Sequence, residues 1–152
     1  MIDDVYNAHI LELAGNIPCI GRLEKYDATA NAHSRICGSK VTVWIRMDGD
    51  RVIAFAHDVK ACALGQASAS VMARNVIGAS AEEIRQAREA LHAMLKEDGQ
   101  PPRGCFGDLK YLQPVKDYKA RHPSTMLAFD AVVDCLDQIA AGTTADDKVL
   151  AS

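Results

Sequence analysis

The fold of this chain is decided by the stretch Lys40–Lys60, KVTVWIRMDGDRVIAFAHDVK, in which two strand-like segments lie on either side of an Asp-Gly pair. Before the pair, Val41, Val43 and Ile45 alternate with other residues, and this period of two predicts a strand over Lys40–Met47. The mainly apolar segment after the pair predicts a second strand over Arg51–Val59. The intervening Asp48–Asp50 is a turn signal. This stretch therefore predicts a β-hairpin.

The same periodicity predicts which residues of the hairpin share a face. In the second strand we expect Val52, Ala54 and Ala56 on one face and Ile53, Phe55 and His57 on the other.

Outside the hairpin the sequence predicts mainly helices. Asp3 to about Asn16 has a loose apolar face and two acidic residues at its start, and Leu23–Ala30 has only a weak strand signal. The downstream elements are a helix over about Cys62–Ile77 whose small residues suit close packing against a sheet, a helix from the capping box at Ser80 to about Lys96, a loop over Asp98–Gly104, a helical turn at Asp108–Leu112 and a helix over Ser124–Ala140. This order predicts an α+β fold: a small, hairpin-based antiparallel sheet with helices packed on one face.

Length and composition bound the possible functions. The 152 residues are 49% hydrophobic and 24% charged, which is typical of one globular domain. We expect the domain to span residues 1–141 and residues 142–152 to form a flexible tail.

Since 17 basic and 20 acidic residues give a net charge of −3, a nucleic-acid partner is not expected. No apolar run approaches the roughly 20 residues of a membrane span, and the acidic start is unlike a signal peptide, so we expect a cytoplasmic protein without a membrane partner.

The five cysteines are Cys19, Cys37, Cys62, Cys105 and Cys135. An odd number in a chain without an export signal argues against a disulfide framework. None belongs to a Cys-x-x-Cys pair, which excludes zinc-finger and thioredoxin-like motifs. We expect Cys19 and Cys135 to be packing residues, because free cysteine is often buried.

Cys37 and Cys62 flank the hairpin. Because a hairpin returns the chain to where it began, the loop before its first strand and the loop after its second lie at the same end of the sheet. Cys62 starts a predicted helix, where free N–H groups favour negative charge, and Lys60 lies two residues away. These surroundings favour a thiolate. From the residues alone, two ordinary buried thiols remain an alternative.

Three segments carry a family resemblance: Ser34–Lys40 (SRICGSK), Lys60–Ser70 (KACALGQASAS) and Phe106–Ala131. They resemble the iron–sulfur cluster scaffold family that includes IscU and the N-terminal domain of NifU, and most closely its sulfur-accepting SufU-like branch. The resemblance extends over about Tyr6–Leu136.

The resemblance implies a metal or nascent cluster held between three cysteines and an aspartate. Two of these positions fall on Cys37 and Cys62, but the aspartate position falls on Ser39 and the third cysteine position on Ser124. Neutral serine is a poor ligand for iron or zinc. Replacement donors to consider are His122, Cys105, His57 and Asp58. Ser124 also suits the N-cap of the last helix, and Ser39 a turn.

The resemblance further implies a scaffold or sulfur acceptor rather than a turnover enzyme. Its partners would be a cysteine desulfurase, whose persulfide a thiolate attacks, and apo-proteins that accept the cluster. Two alternatives stay open: a metal-free interaction module of the same fold, and a zinc-dependent sulfur-transfer partner of the desulfurase.

Overall fold

The computed structural model of the chain describes residues 7–35 and 38–142. Three antiparallel strands, β1 (Ala28–His33), β2 (Lys40–Asp48) and β3 (Arg51–Lys60), form a sheet in the order β1-β2-β3. The predicted hairpin is confirmed as β2 and β3, and the turn glycine, Gly49, has the positive φ of 62° that favours glycine.

Four α-helices and two 3₁₀ segments complete the described chain: α1 (Ala8–Gly15), α2 (Ala63–Asn75), α3 (Ala81–Lys96), 3₁₀ residues Gly104–Asp117 and Lys119–Arg121, and α4 (His122–Ala140). The predicted capping box is confirmed, since the Ser80 side chain accepts from the Glu83 N–H and the Glu83 carboxylate accepts from the Ser80 N–H. The 3₁₀ segment is much longer than the helical turn expected at Asp108–Leu112.

Two predicted starts of elements are wrong. α1 begins at Ala8 rather than Asp3, because the Asn7 side chain caps it by accepting from the Ile10 N–H at 3.0 Å. Asp3 and Asp4 lie outside the described residues. β1 begins at Ala28, so only the end of the weak signal at Leu23–Ala30 is a strand.

The predicted faces of β3 are also wrong in part. Val52 is buried and Ile53 is exposed, but further along the strand Phe55 and His57 are buried. The reason is a bulge: Arg46 pairs with Ala54 and Met47 with Val52, which leaves Ile53 as an extra residue. One extra residue moves the following side chains to the opposite face.

Helix α4 covers the sheet at β1 and β2. We expected α2 to pack against the sheet, but it packs chiefly against α1 and α4. The core therefore lies between the sheet and α4 and continues between the helices. Cys135 is fully buried in it, which confirms its packing role. In the described part of the chain, no helix has the length and apolar character needed to cross a membrane.

The free edge of β3 is covered by a short strap around Cys19–Gly21. The His57 N–H donates to the Cys19 carbonyl at 3.1 Å, and the Gly21 N–H donates to the His57 carbonyl at 2.9 Å. Cys19 itself is half-buried and packs against the core, as expected.

Candidate functional site

The candidate site lies at the open end of the β2–β3 hairpin. Lys40, the first residue of β2, pairs directly with Lys60, the last residue of β3. The chain segments that precede Lys40 and follow Lys60 therefore start from the same end of the sheet, as predicted. Cys37 and Ile36 lie outside the described residues, so the distance from Cys37 to Cys62 stays a prediction.

Two backbone hydrogen bonds join the residues before Cys37 in the sequence to the residues after it. The Ser34 N–H donates to the Ser39 carbonyl at 2.8 Å, and the Gly38 N–H donates to the Ser34 carbonyl at 2.9 Å. Gly38 has a φ of 70°, which is strained for a residue with a side chain. Ser39 is buried, with 3% of its surface exposed, and immediately precedes Lys40, the first residue of β2.

Cys62 is the N-cap of α2 and is half-buried. Its thiol makes no capping hydrogen bond within the described chain but lies 3.6 Å from the Ser124 hydroxyl oxygen, at the start of α4. Cys62 and Ser124, which are 62 positions apart in the sequence, are therefore in contact. The family resemblance places its third ligand cysteine at Ser124 and its second at Cys62, so these two ligand positions are adjacent.

Gly65 is the reason that α2 and α4 approach closely enough for this contact. A Cβ at position 65 would lie 2.8 Å from the Ala61 Cβ and 3.1 Å from the Ser124 carbonyl oxygen. The distance to Ser124 is also tighter than most real Cβ contacts, so the missing side chain of Gly65 lets α2 lie close to the first turn of α4.

Ser124 is not the N-cap of α4. The helix starts at His122 and is preceded by Arg121, because Pro123 is suited to the first turn and Ser124 is already helical. The Ser124 hydroxyl donates to the Arg121 carbonyl at 3.1 Å, and the Thr125 hydroxyl donates to the same oxygen at 2.8 Å. The Ser124 oxygen thereby remains an acceptor for the Cys62 S–H.

His122 is buried, and its Nε2 lies 3.0 Å from the Val115 carbonyl and 3.1 Å from the Lys116 carbonyl. Since carbonyl oxygens only accept, this nitrogen carries the proton. Residues two apart on a helix point in different directions, so with Ser124 directed at Cys62 the imidazole is directed elsewhere. His122 holds the 3₁₀ segment against α4.

Cys105 is exposed, and its side chain contacts α3: its sulfur is 3.8 Å from the Glu83 carboxylate. A groove of about 470 Å³ runs past it, between α3 and the Pro101–Phe106 segment. Partial burial and the Glu83 carboxylate raise the pKa of the Cys105 thiol. A neutral thiol is a poor metal ligand and nucleophile.

His57 and Asp58 lie on opposite faces of β3. His57 is buried; its Nε2 donates to the Pro18 carbonyl at 2.8 Å, and its Nδ1 has no partner in the described residues. Burial lowers the pKa of His57 below its ordinary value of 6.5. Asp58 is exposed on the outer face, where it pairs with Thr42.

Among residues 7–35 and 38–142, no three histidine, cysteine, aspartate or glutamate side chains converge as a metal site. Cys62, Cys105 and His122 therefore do not form a site among themselves. Sequence reasoning missed the part played by Gly65. Its signal was the Ala-Cys-Ala-Leu-Gly spacing, which puts a glycine on the first turn of α2.

Comparisons with known proteins agree on one family. The sequence profile described as "NifU-like N terminal domain" matches residues 5–125. Two relatives are named iron–sulfur cluster assembly scaffold protein IscU. The protein from Thermotoga maritima is 24% identical over 135 residues, which is 89% of this chain and 94% of the relative. The protein from Streptococcus pyogenes serotype M1 is 24% identical over 120 residues, which is 79% of this chain and 75% of the relative.

Two solved structures share the fold. A NifU-like protein (N-terminal) from Brucella abortus, described as nitrogen-fixing, superposes with a TM-score of 0.91 at 61% identity, over 92% of this chain and 97% of the other. A protein described as a putative scaffold for the SUF system, from Fervidobacterium islandicum, superposes with a TM-score of 0.80 at 22% identity, over 87% of this chain and 96% of the other. At that identity the second likeness shows the fold alone.

Proposed function

Because this chain belongs to the NifU-like N-terminal domain family, we propose that it is a scaffold protein of iron–sulfur cluster assembly. Its cargo is iron or a nascent cluster held by cysteine thiolates. Two relatives that carry the name of such scaffolds support this function.

One observation carries the proposal: the Cys62 thiol lies against Ser124 at the end of the sheet from which the Cys37 loop also starts. The half-buried Cys62 thiol is the N-cap of α2 and lies 3.6 Å from the Ser124 hydroxyl oxygen. We assign Cys37 and Cys62 as the two cargo ligands. Cys105 and His122 are weaker candidates, since their side chains are directed to Glu83 and to two carbonyl oxygens.

The sulfur-accepting step follows from the same two thiols. A thiolate of Cys37 or Cys62 attacks the terminal sulfur of a persulfide on a cysteine desulfurase. The new S–S bond forms as the donor cysteine leaves as a thiolate, so the sulfur atom moves with no net oxidation. Apo-proteins that accept the finished cluster are the second class of partner. Holding the cargo with only two thiolates favours its release to them.

A resident zinc ion does not fit the described residues. Zinc sites in proteins have at least three protein ligands, drawn from thiolate, imidazole and carboxylate. Two of the four expected positions are the hydroxyls of Ser39 and Ser124, and the His122 imidazole is directed away from Cys62. We therefore derive no zinc-dependent step for this chain.

Anaerobic reconstitution with iron and sulfide tests the scaffold function. We expect the wild type to develop the visible absorption of an iron–sulfur cluster and Cys37→Ser and Cys62→Ser to lose it. Cys105→Ser is the matched control and should retain it, because this exposed thiol lies against α3. If Cys105→Ser alone removes the absorption, the ligand assignment is wrong.

A second candidate, a metal-free interaction module, is favoured by the serines at two ligand positions and by the absence of three convergent donors in the described residues. It predicts that the folded wild type binds neither iron nor zinc under any reconstitution condition. Stoichiometric iron that depends on Cys37 and Cys62 excludes it.

A further inference from the structure

A row of basic side chains crosses the outer face of the sheet beside the candidate site. Lys40 pairs with His33 on β1 and with Lys60 on β3. Directly paired residues point to the same face, so the three side chains stand side by side. All three are exposed, and so is Arg35, which follows β1 at the same end. We call His33, Lys40 and Lys60 the basic row.

The two lysines of the basic row are not neutralised within the described chain. Its ion pairs there use Arg51, Arg74, Arg85, Arg88, His92 and Lys116. The acidic residue nearest in register on this face is Asp58, which pairs with Thr42, two residues along the strands. Like charges directly opposite each other destabilise a sheet. The Lys40–Lys60 pair is therefore less stable than a Glu–Lys pair at the same positions would be. The two lysines form a local positive charge on a chain whose net charge is −3.

We propose that the basic row docks an acidic, extended segment of a partner protein and holds that partner over the Cys62 end of the sheet. The inference rests on the proposed scaffold function, since it concerns how a sulfur donor or cluster acceptor reaches that site. Docking would neutralise the Lys40–Lys60 repulsion, so the unfavourable pair in the free protein becomes a source of binding energy in the complex.

The shape of the row fits a peptide. Strands lie about 4.8 Å apart, so three neighbouring side chains span about 10 Å. An extended acidic segment of about four residues covers this distance, with alternate side chains directed to the row.

Lys40→Glu tests the proposal without loss of the fold. The change replaces a Lys–Lys pair by a Glu–Lys pair, so the urea midpoint should rise while acidic ligands lose their site. Lys25→Glu is the matched control: Lys25 is exposed and precedes β1 at the opposite end of the sheet. The probe is a short poly-glutamate peptide, titrated at low salt into isotope-labelled, metal-free protein and followed by NMR.

We expect amide shifts to concentrate at His33, Lys40 and Lys60, and affinity to fall about tenfold in Lys40→Glu but little in Lys25→Glu. Physiological salt should weaken binding, because the charges are exposed. Equal losses in both variants, or tighter binding of tripolyphosphate than of the peptide at the same residues, would overturn the proposal. Since no iron or sulfide is present, a negative result here leaves the reconstitution test of the scaffold function intact.

Discussion

Gly65→Ala should destabilise the protein, although alanine is the better helix former. The added methyl would lie 2.8 Å from the Ala61 Cβ and 3.1 Å from the Ser124 carbonyl oxygen. Neither atom is the end of a flexible side chain, so the segment at Ala61, α2 or α4 must move. Overpacking of this kind costs about 1–3 kcal/mol. The gain in helix propensity is at most about 1 kcal/mol. After the propensity gain is subtracted, we expect a net loss of up to about 2 kcal/mol.

The assay is the free energy of unfolding from urea titration, with Gly15→Ala as the control. Gly15 is the last residue of α1, and a Cβ there would meet no atom within 4 Å. Gly15→Ala should be neutral or slightly stabilising. The same displacement should separate Cys62 from Ser124 and so change the alkylation rate of Cys62. A Gly65→Ala variant as stable as Gly15→Ala would refute the close approach of α2 and α4.

Three further predictions concern other parts of the structure. Ser80→Ala removes the capping box of α3 and should lower the free energy of unfolding by about 1 kcal/mol, measured in urea. Burial lowers the pKa of His57 in the folded protein, so as the pH falls the unfolded chain binds a proton at this residue before the folded chain does. The free energy of unfolding should therefore be highest above pH 6.5 and decrease as the pH falls below 6.5. His57→Gln should flatten this dependence in urea titrations at several pH values. Ser124→Cys adds a thiol beside Cys62 and should slow the loss of reconstituted iron to a chelator; a faster loss would contradict the placement of Ser124 at the cargo site.

The elements that the sequence predicted well are those with a local cause. The Asp-Gly turn and the alternation around it are sufficient to define the β2–β3 hairpin, and the Ser80–Glu83 pair defines the start of α3. The bulge at Ile53 had no such signal. It arises where β3 meets β2 and the chain around Ala79, and it reverses the faces of the following residues.

The candidate site was only partly predictable for the same reason. Cys62 at a helix N-terminus is a local feature, and the structure has it as the N-cap of α2. Its contact with Ser124 depends on how α2 and α4 pack and was implied only by the family resemblance. Cys105 follows the loop predicted over Asp98–Gly104, but its contact with Glu83, 22 residues away in the sequence, had no local signal.

Disulfide trapping measures most directly whether two distant thiols meet at the end of the hairpin. Metal-free protein is oxidised mildly with diamide, and its crosslinked peptides are identified by mass spectrometry. We expect a dominant Cys37–Cys62 crosslink that prior loading with iron suppresses, since a disulfide requires Cα atoms within about 7 Å of each other. A dominant crosslink between either thiol and Cys105, or none between Cys37 and Cys62, would contradict the proposed meeting of the two thiols.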